Sequence, residues 1–357
     1  MKTTMHLLRR TVQPLTVAMW LLLTVGLLVG PASQADTLFV SNYLNDSINR
    51  ITEDGIVTTF AAVAPKPFGV VFDSRGNLYV ASAQRTNRIS RILTNGTVTT
   101  FSPLLPSYDA TALAFDSRGR LYVGSQNGYG IGRISSVAGP IAPVAGGFTF
   151  PFGLAFDRED NLYVADQFNG RISKVAPDGT KTTFATGLVN PWGLAFDAVG
   201  NLHVANFGNG RITRIAPDGT AITFASGFSG PAGIAFDSAG NLFVANQGGT
   251  VGKVTPDGTV STFATGLSQP LYIAVQPDPA PPSLLIPQQS PDEISQSGLR
   301  IALRGAINTH YQVLHSEDLV TWAPFQTNQV IASSEVQIVD PEAAFAPQRF
   351  YRVRRLP

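Results

Sequence analysis

The sequence predicts an all-β protein: a six-bladed β-propeller followed by a small C-terminal β domain of the Ig or fibronectin kind. Three observations predict it. A short strand motif recurs about every forty residues, and turn residues stand at fixed offsets inside each repeat. The first repeat also lacks one strand, which reappears after the last repeat.

The chain has 357 residues, 44% of them hydrophobic and 14% charged, with 34 Gly and 25 Pro. That composition suits a core rich in turns and argues against disorder. Residues 1–35 read as a signal peptide. Lys2, Arg9 and Arg10 form a positive start, Leu15 to Val29 an apolar run, and Ser33-Gln34-Ala35 a cleavage site. An uncleaved anchor is the alternative, although the run is short for a span. The expected location is therefore exported: periplasmic, cell-surface or secreted, of bacterial type. Any membrane contact would come only through the leader, if it is kept. Removing it leaves 22 basic against 24 acidic residues, net −2. A chain so nearly neutral lacks the basic footprint that nucleic acid needs. There is no cysteine, which excludes disulfides, thiolate metal ligands and thiol nucleophiles.

The recurring motif is Leu-(aromatic)-Val, at Leu38, Leu78, Leu121, Leu162, Leu202 and Leu242, with His203 in the aromatic place of the fifth copy. One unit, Pro191 to Phe228, contains four strands, a to d. Strands a and b are nearly continuous apolar runs, as in strands buried on both faces. Strands c and d alternate, as near a solvent-facing rim. Asp73-Ser-Arg-Gly-Asn77 and its counterparts turn a into b, and Asp-Gly or Asn-Gly pairs such as Asp218-Gly219 turn c into d.

The array begins on strand b at Thr37 and lacks strand a. Pro270 to Val275 supplies an a strand at the other end, so residues 270–276 should pair with 37–41 and close the ring. The propeller thus covers 36–276. Residues 277–290 read as a proline-rich linker. Strands expected over 299–303, 310–315, 336–340 and 350–354 make up the domain 291–357, with Trp322 in its core.

The segments Pro-x-Gly-(Leu/Ile/Val)-Ala-Phe-Asp, Gly-Asn-Leu-Tyr-Val-Ala and Asn-x-Arg-Ile resemble NHL repeats over residues 36–276. The tail, with Tyr311-Gln-Val-Leu-His-Ser-Glu-Asp-Leu319 and Phe350-Tyr-Arg-Val-Arg354, resembles a short β module of bacterial exported proteins. Gluconolactonase-like hydrolases and streptogramin lyases have a similar six-bladed scaffold, so the fold alone selects no function.

The b–c and d–a loops should share one face. The b–c loops vary between repeats while the hairpins of the other face hardly change, which points to the first face for binding. Its candidate residues are Phe68, Phe152 and Trp192 at the channel mouth, and Phe168, Phe207, Gln167, Asp166, Asn206 and Asn246 in or beside the b–c loops. Rings beside amides suit a neutral polar ligand such as a glycan or peptide. The competing reading is that the rings pack between blades and the amides cap turns.

Catalysis has little support. His203, the one propeller histidine, stands where other repeats hold Phe or Tyr. The gluconolactonase resemblance would imply a divalent metal held by Glu, Asn and Asp, and of these only Asp166 has a match. The lyase resemblance would imply a channel histidine with charged neighbours, which the pattern lacks. No cofactor is expected, with Ca²⁺ at Asp166 and Asn206 the one weak candidate. The preferred expectation is a binding module for a glycan, peptide or protein. The rivals are a degenerate hydrolase or lyase, and a structural envelope protein.

Overall fold

In a computed structural model of the chain, the described residues are 36–83, 87–102, 109–127, 130–134, 137 and 139–276. In the C-terminal part they are 283–285, 299–304, 310–316, 321, 323–330, 335–340 and 350–355. The leader 1–35 and Trp322 lie outside them.

Residues 35–277 form one compact unit. It holds six four-stranded antiparallel sheets. Blade 1 has strand a at Pro270–Gln276, b at Thr37–Asn42, c at Ser47–Ile51 and d at Val57–Ala62. Blades 2 to 6 begin with strands a at Pro67–Phe72, Ala110–Phe115, Pro151–Phe156, Pro191–Phe196 and Pro231–Phe236. Each is followed in order by its b, c and d strands. The ring closes as expected, with Leu38 opposite Val275 and Val40 opposite Ile273. Closure leaves no open a-strand edge between first and last repeat. Among the described residues the only helical element is a 3₁₀ turn at Gln167–Asn169, and no helix is long and apolar enough to cross a membrane.

Burial follows strand position. Every residue of strand b is buried in blades 2 to 6, whereas strand d of blade 4 is exposed over its first three residues. The blades are joined by rings. Tyr163 in strand b of blade 4 meets Phe184 of its own strand d at 4.9 Å and Phe196 of the next blade at 5.0 Å, both edge-on. Phe39 and Tyr79 repeat this arrangement. Each such pair contributes about 0.5–1.5 kcal/mol beyond area burial.

The C-terminal strands form two three-stranded antiparallel sheets. Leu299–Arg304 is flanked by Ser283–Leu285 and Glu335–Asp340, and His310–Ser316 by Ala323–Val330 and Phe350–Arg355. Ser283–Leu285 falls within the stretch expected to be linker. Its apolar pair after Pro281-Pro282 is long enough to join an edge, with Leu284 opposite Leu303.

Candidate functional site

The six a strands surround an axial cavity of about 550 Å³, reached by Asp73 and Ser74 of an a–b hairpin. Small residues let these strands approach. A Cβ on Gly153 would lie 2.0 Å from the carbonyl oxygen of Trp192, and one on Gly193 2.3 Å from that of Ala232. The equivalent residue in blade 1 is Tyr272, which crosses the axis. Its hydroxyl donates to the carbonyl of Phe152 in blade 4, on the opposite side of the ring. The same hydroxyl accepts from Trp192 Nε1 at 3.0 Å. Burial holds this phenol above its ordinary pKa.

Above Tyr272 the candidate mouth residues pack on one another. Phe68 stacks on Phe152 at 6.1 Å, and Trp192 lies 4.7 Å from both Phe152 and Phe207. Phe68, Phe152 and Trp192 are all buried. The b–c end of the channel is therefore closed by a ring plug. Tyr272 was not among the sequence candidates. Its signal was a Tyr in Pro270-Leu-Tyr272 where most repeats place Gly.

Two sets of bonds fix the loops of this face. The residue before the Pro of strand a is left-handed in blades 1, 2, 4 and 5, with Gln269, Lys66, Phe150 and Asn190 at φ 53, 60, 60 and 49°. Such a backbone costs non-glycine residues of order 1 kcal/mol. It aims their carbonyls at the b–c loop, where they accept the amides of Tyr43, Ala83, Gln167 and Phe207. The side chain ending strand b supplies the second bond. Asn42, Asp166 and Asn206 accept the backbone N–H of Ser268, Thr149 and Val189 at 3.2, 2.7 and 3.2 Å.

Asp166 and Asn206 thus serve as caps. The side chain of Asp166 is fully buried, and its second oxygen accepts from Asn169 Nδ2 and Arg171 Nε, both at 2.9 Å. A cation there would face the Arg171 guanidinium, so the donor set does not fit Ca²⁺. Among the described residues no three His, Asp or Glu side chains form a metal-holding group. Asn246 is buried and donates to Thr250. Gln167 is buried, Phe207 is half-buried in the plug, and Phe168 stands 60% exposed with its ring edge-on to Phe150 at 4.7 Å. Leu44 and Val189, on loops of the same face, are also exposed.

His203 occupies an inter-blade ring position, edge-on to Phe224 and Phe236 at 4.7 and 4.9 Å. Its Nε2 lies 3.2 Å from Asp197, where Tyr122 in blade 3 turns its hydroxyl to Asp116. Burial holds His203 below the ordinary histidine pKa, and Asp197 only partly offsets this. Burial also opposes ionisation of Asp197, but bonds from Asn201 and His203 outweigh it and keep that carboxyl low. The unfolded chain therefore takes up the His203 proton more readily than the folded one. Stability is full above about pH 6.5 and falls as pH drops from there through the depressed folded value. His203→Tyr, the residue of three other blades, is expected to flatten this acid-side loss. Melting temperatures of both proteins between about pH 7 and 5 check it, and parallel curves would show that protonation of His203 does not cause the acid-side loss.

The family profile described as virginiamycin B lyase matches residues 24–254, more than half of the chain. The chain belongs to the virginiamycin B lyase family. Solved structures with similar folds include a chain of a nidogen/laminin complex, at 20% identity and TM-score 0.60, covering 68% of this chain and 98% of that one. A catalytically inactive histidine-to-alanine virginiamycin B lyase from Staphylococcus aureus with quinupristin gives 17% identity and TM-score 0.50, covering 78% and 94%. A Bacteroides caccae protein of unknown function gives 14% and 0.54, covering 68% and 99%. No curated protein sequence matches. At these identities the structures show a shared fold, and members of this fold both bind proteins and act as lyases. In this member of the virginiamycin B lyase family, the histidine of the propeller is packed between blades and is not among the residues lining the axial cavity.

Proposed function

We propose that this chain is an exported interaction module that presents its b–c and d–a loop face to a glycan, peptide or protein partner. The observation that carries this reading is the plug of Phe68, Phe152, Trp192 and Tyr272, which fills the channel mouth on the face with the most variable loops. Among the described residues, the plug that fills the mouth is made of apolar and aromatic side chains and presents no imidazole or carboxylate. Around it, Phe168, Leu44 and Val189 project from loops rich in Asn and Gln. Aromatic and aliphatic anchors among neutral hydrogen-bonding groups are features of binding surfaces. The propeller of similar fold in the nidogen/laminin complex supports the same direction. The reading needs no cofactor and no nucleic acid. Export rests on the leader pattern of residues 1–35, and the C-terminal strands would space or attach the propeller.

The test is a glycan and peptide array probed with the full chain and with Phe168→Ser. Saturable binding is expected, weakened about tenfold or more by the substitution, at unchanged melting temperature because the ring is mostly outside the core. Equal binding by both proteins would remove this face from the proposal. Family membership favours a second reading, lyase activity on a streptogramin. Incubation with quinupristin decides it: steady catalytic turnover of the compound would replace the binding-module reading, and no turnover would leave it standing.

A further inference from the structure

On the opposite face, between blades 3 and 4, lies a groove of about 390 Å³. Its walls include Val144, Phe156 and Pro177, together with three arginines, Arg118, Arg120 and Arg133. One departure from the repeat stands in its wall. In blades 2, 4, 5 and 6 the carboxylate ending strand a accepts from an Asn four residues on, as Asn161 to Asp157 at 2.8 Å. Blade 3 has Arg120 there, with Nε 2.5 Å from Asp116.

A second cation stands beside it. Strand c carries a basic residue opposite the ring of strand b in each of blades 2 to 6: Arg91, Arg133, Lys174, Arg214 and Lys253. In blade 4, Lys174 lies over Tyr163 and 3.7 Å from Asp157. In blade 3 the corresponding carboxylate is held by Arg120, and Nε of Arg133 is buried without a hydrogen-bond partner, as is that of Arg91 in blade 2. A buried donor left so is costly.

Acids line the groove too. Asp160 accepts the amide and hydroxyl of Ser117 at 2.9 and 2.7 Å, and Asp178 accepts the amide of Thr180 at 2.8 Å. Glu159 completes the set. These charges disfavour a multiply charged anion such as phosphate, while the forked donors still suit one carboxylate.

We propose that this groove binds a monocarboxylate with an apolar body, its carboxylate on Arg133 and Arg118 and its body against Val144, Phe156 and Pro177. A free aliphatic acid and the C-terminal residue of a peptide both offer this group. Calorimetric titration of the full chain tests it, using hexanoate, hexanamide, and a tetrapeptide ending in Leu as free acid or amide. Hexanoate is expected to bind saturably and hexanamide not. Arg133→Gln and Arg118→Gln should each weaken binding about tenfold or more. Arg118 is exposed, so its variant folds as the parent does. Tighter binding of the free-acid peptide than of hexanoate would assign the site to chain ends, and the reverse to small acids. No saturable binding of either acid, or affinity unchanged in both variants, would overturn the proposal. The Phe168→Ser face is not involved, so the two proposals fail separately.

Discussion

Tyr272→Ala is expected to lower the unfolding free energy by about 3–5 kcal/mol, the usual cost of truncating a buried aromatic. The ring joins the core cluster that spans the axis. Its loss removes apolar contacts from Phe152 and Trp192 and strips the hydroxyl from two partners, the Phe152 carbonyl and the Trp192 indole N–H. Tyr272→Phe separates these effects, because it keeps the ring and loses only the hydrogen bonds, at about 1–3 kcal/mol. Urea denaturation of the three proteins measures both. A Tyr272→Ala cost below that of an ordinary surface change would mean that the plug is not part of the stabilising core. The alanine variant should also connect the axial cavity to the b–c face, which an added small apolar ligand would report by raising the melting temperature.

Asp166→Ala should cost about 2–3 kcal/mol, because it leaves the Thr149 amide and Arg171 without their acceptor. The figure is set below that of a fully buried pair because the Arg171 side chain is 32% exposed and water can take up part of its charge. Asp166→Asn should cost much less. Asn42 and Asn206 already make the same bond to a d–a loop amide in their own blades. Thermal melts of both variants distinguish this capping role from ligand binding. If Ala and Asn prove equally mild, the cap contributes little. If Asp166→Ala melts like the parent but no longer binds on the arrays, Asp166 belongs to the binding surface.

The candidate site was only partly legible in the sequence, and Trp192 shows why. The Pro-x-Gly pattern placed it near the channel mouth correctly, as it did Phe68 and Phe152. Whether such rings face water or one another depends on what the other blades send to the axis. That depends on residues some forty, eighty or more positions away, Tyr272 among them. Phe168 shows the converse. Nothing in its own repeat marked it as more exposed than Phe207, and the 3₁₀ turn at Gln167–Asn169 decided it. Ser283–Leu285 shows a limit of composition, since proline on both sides hid a strand.

By itself the sequence determined the number of blades, the four strands of each and the closure of the ring. These follow from local periods and turn chemistry, which each repeat states again, so that errors in one copy are corrected by the others. It also determined the inter-blade place of His203, because substitution at a repeated position reveals the role of that position. The tertiary structure decided which end of the channel is shut, which caps hold which loops, and that Arg120 takes the carboxylate of Asp116. Those outcomes depend on single departures from the repeat, Tyr for Gly at 272 and Arg for Asn at 120. The consequence of each departure is set by residues of another strand or another blade, which only packing brings within reach.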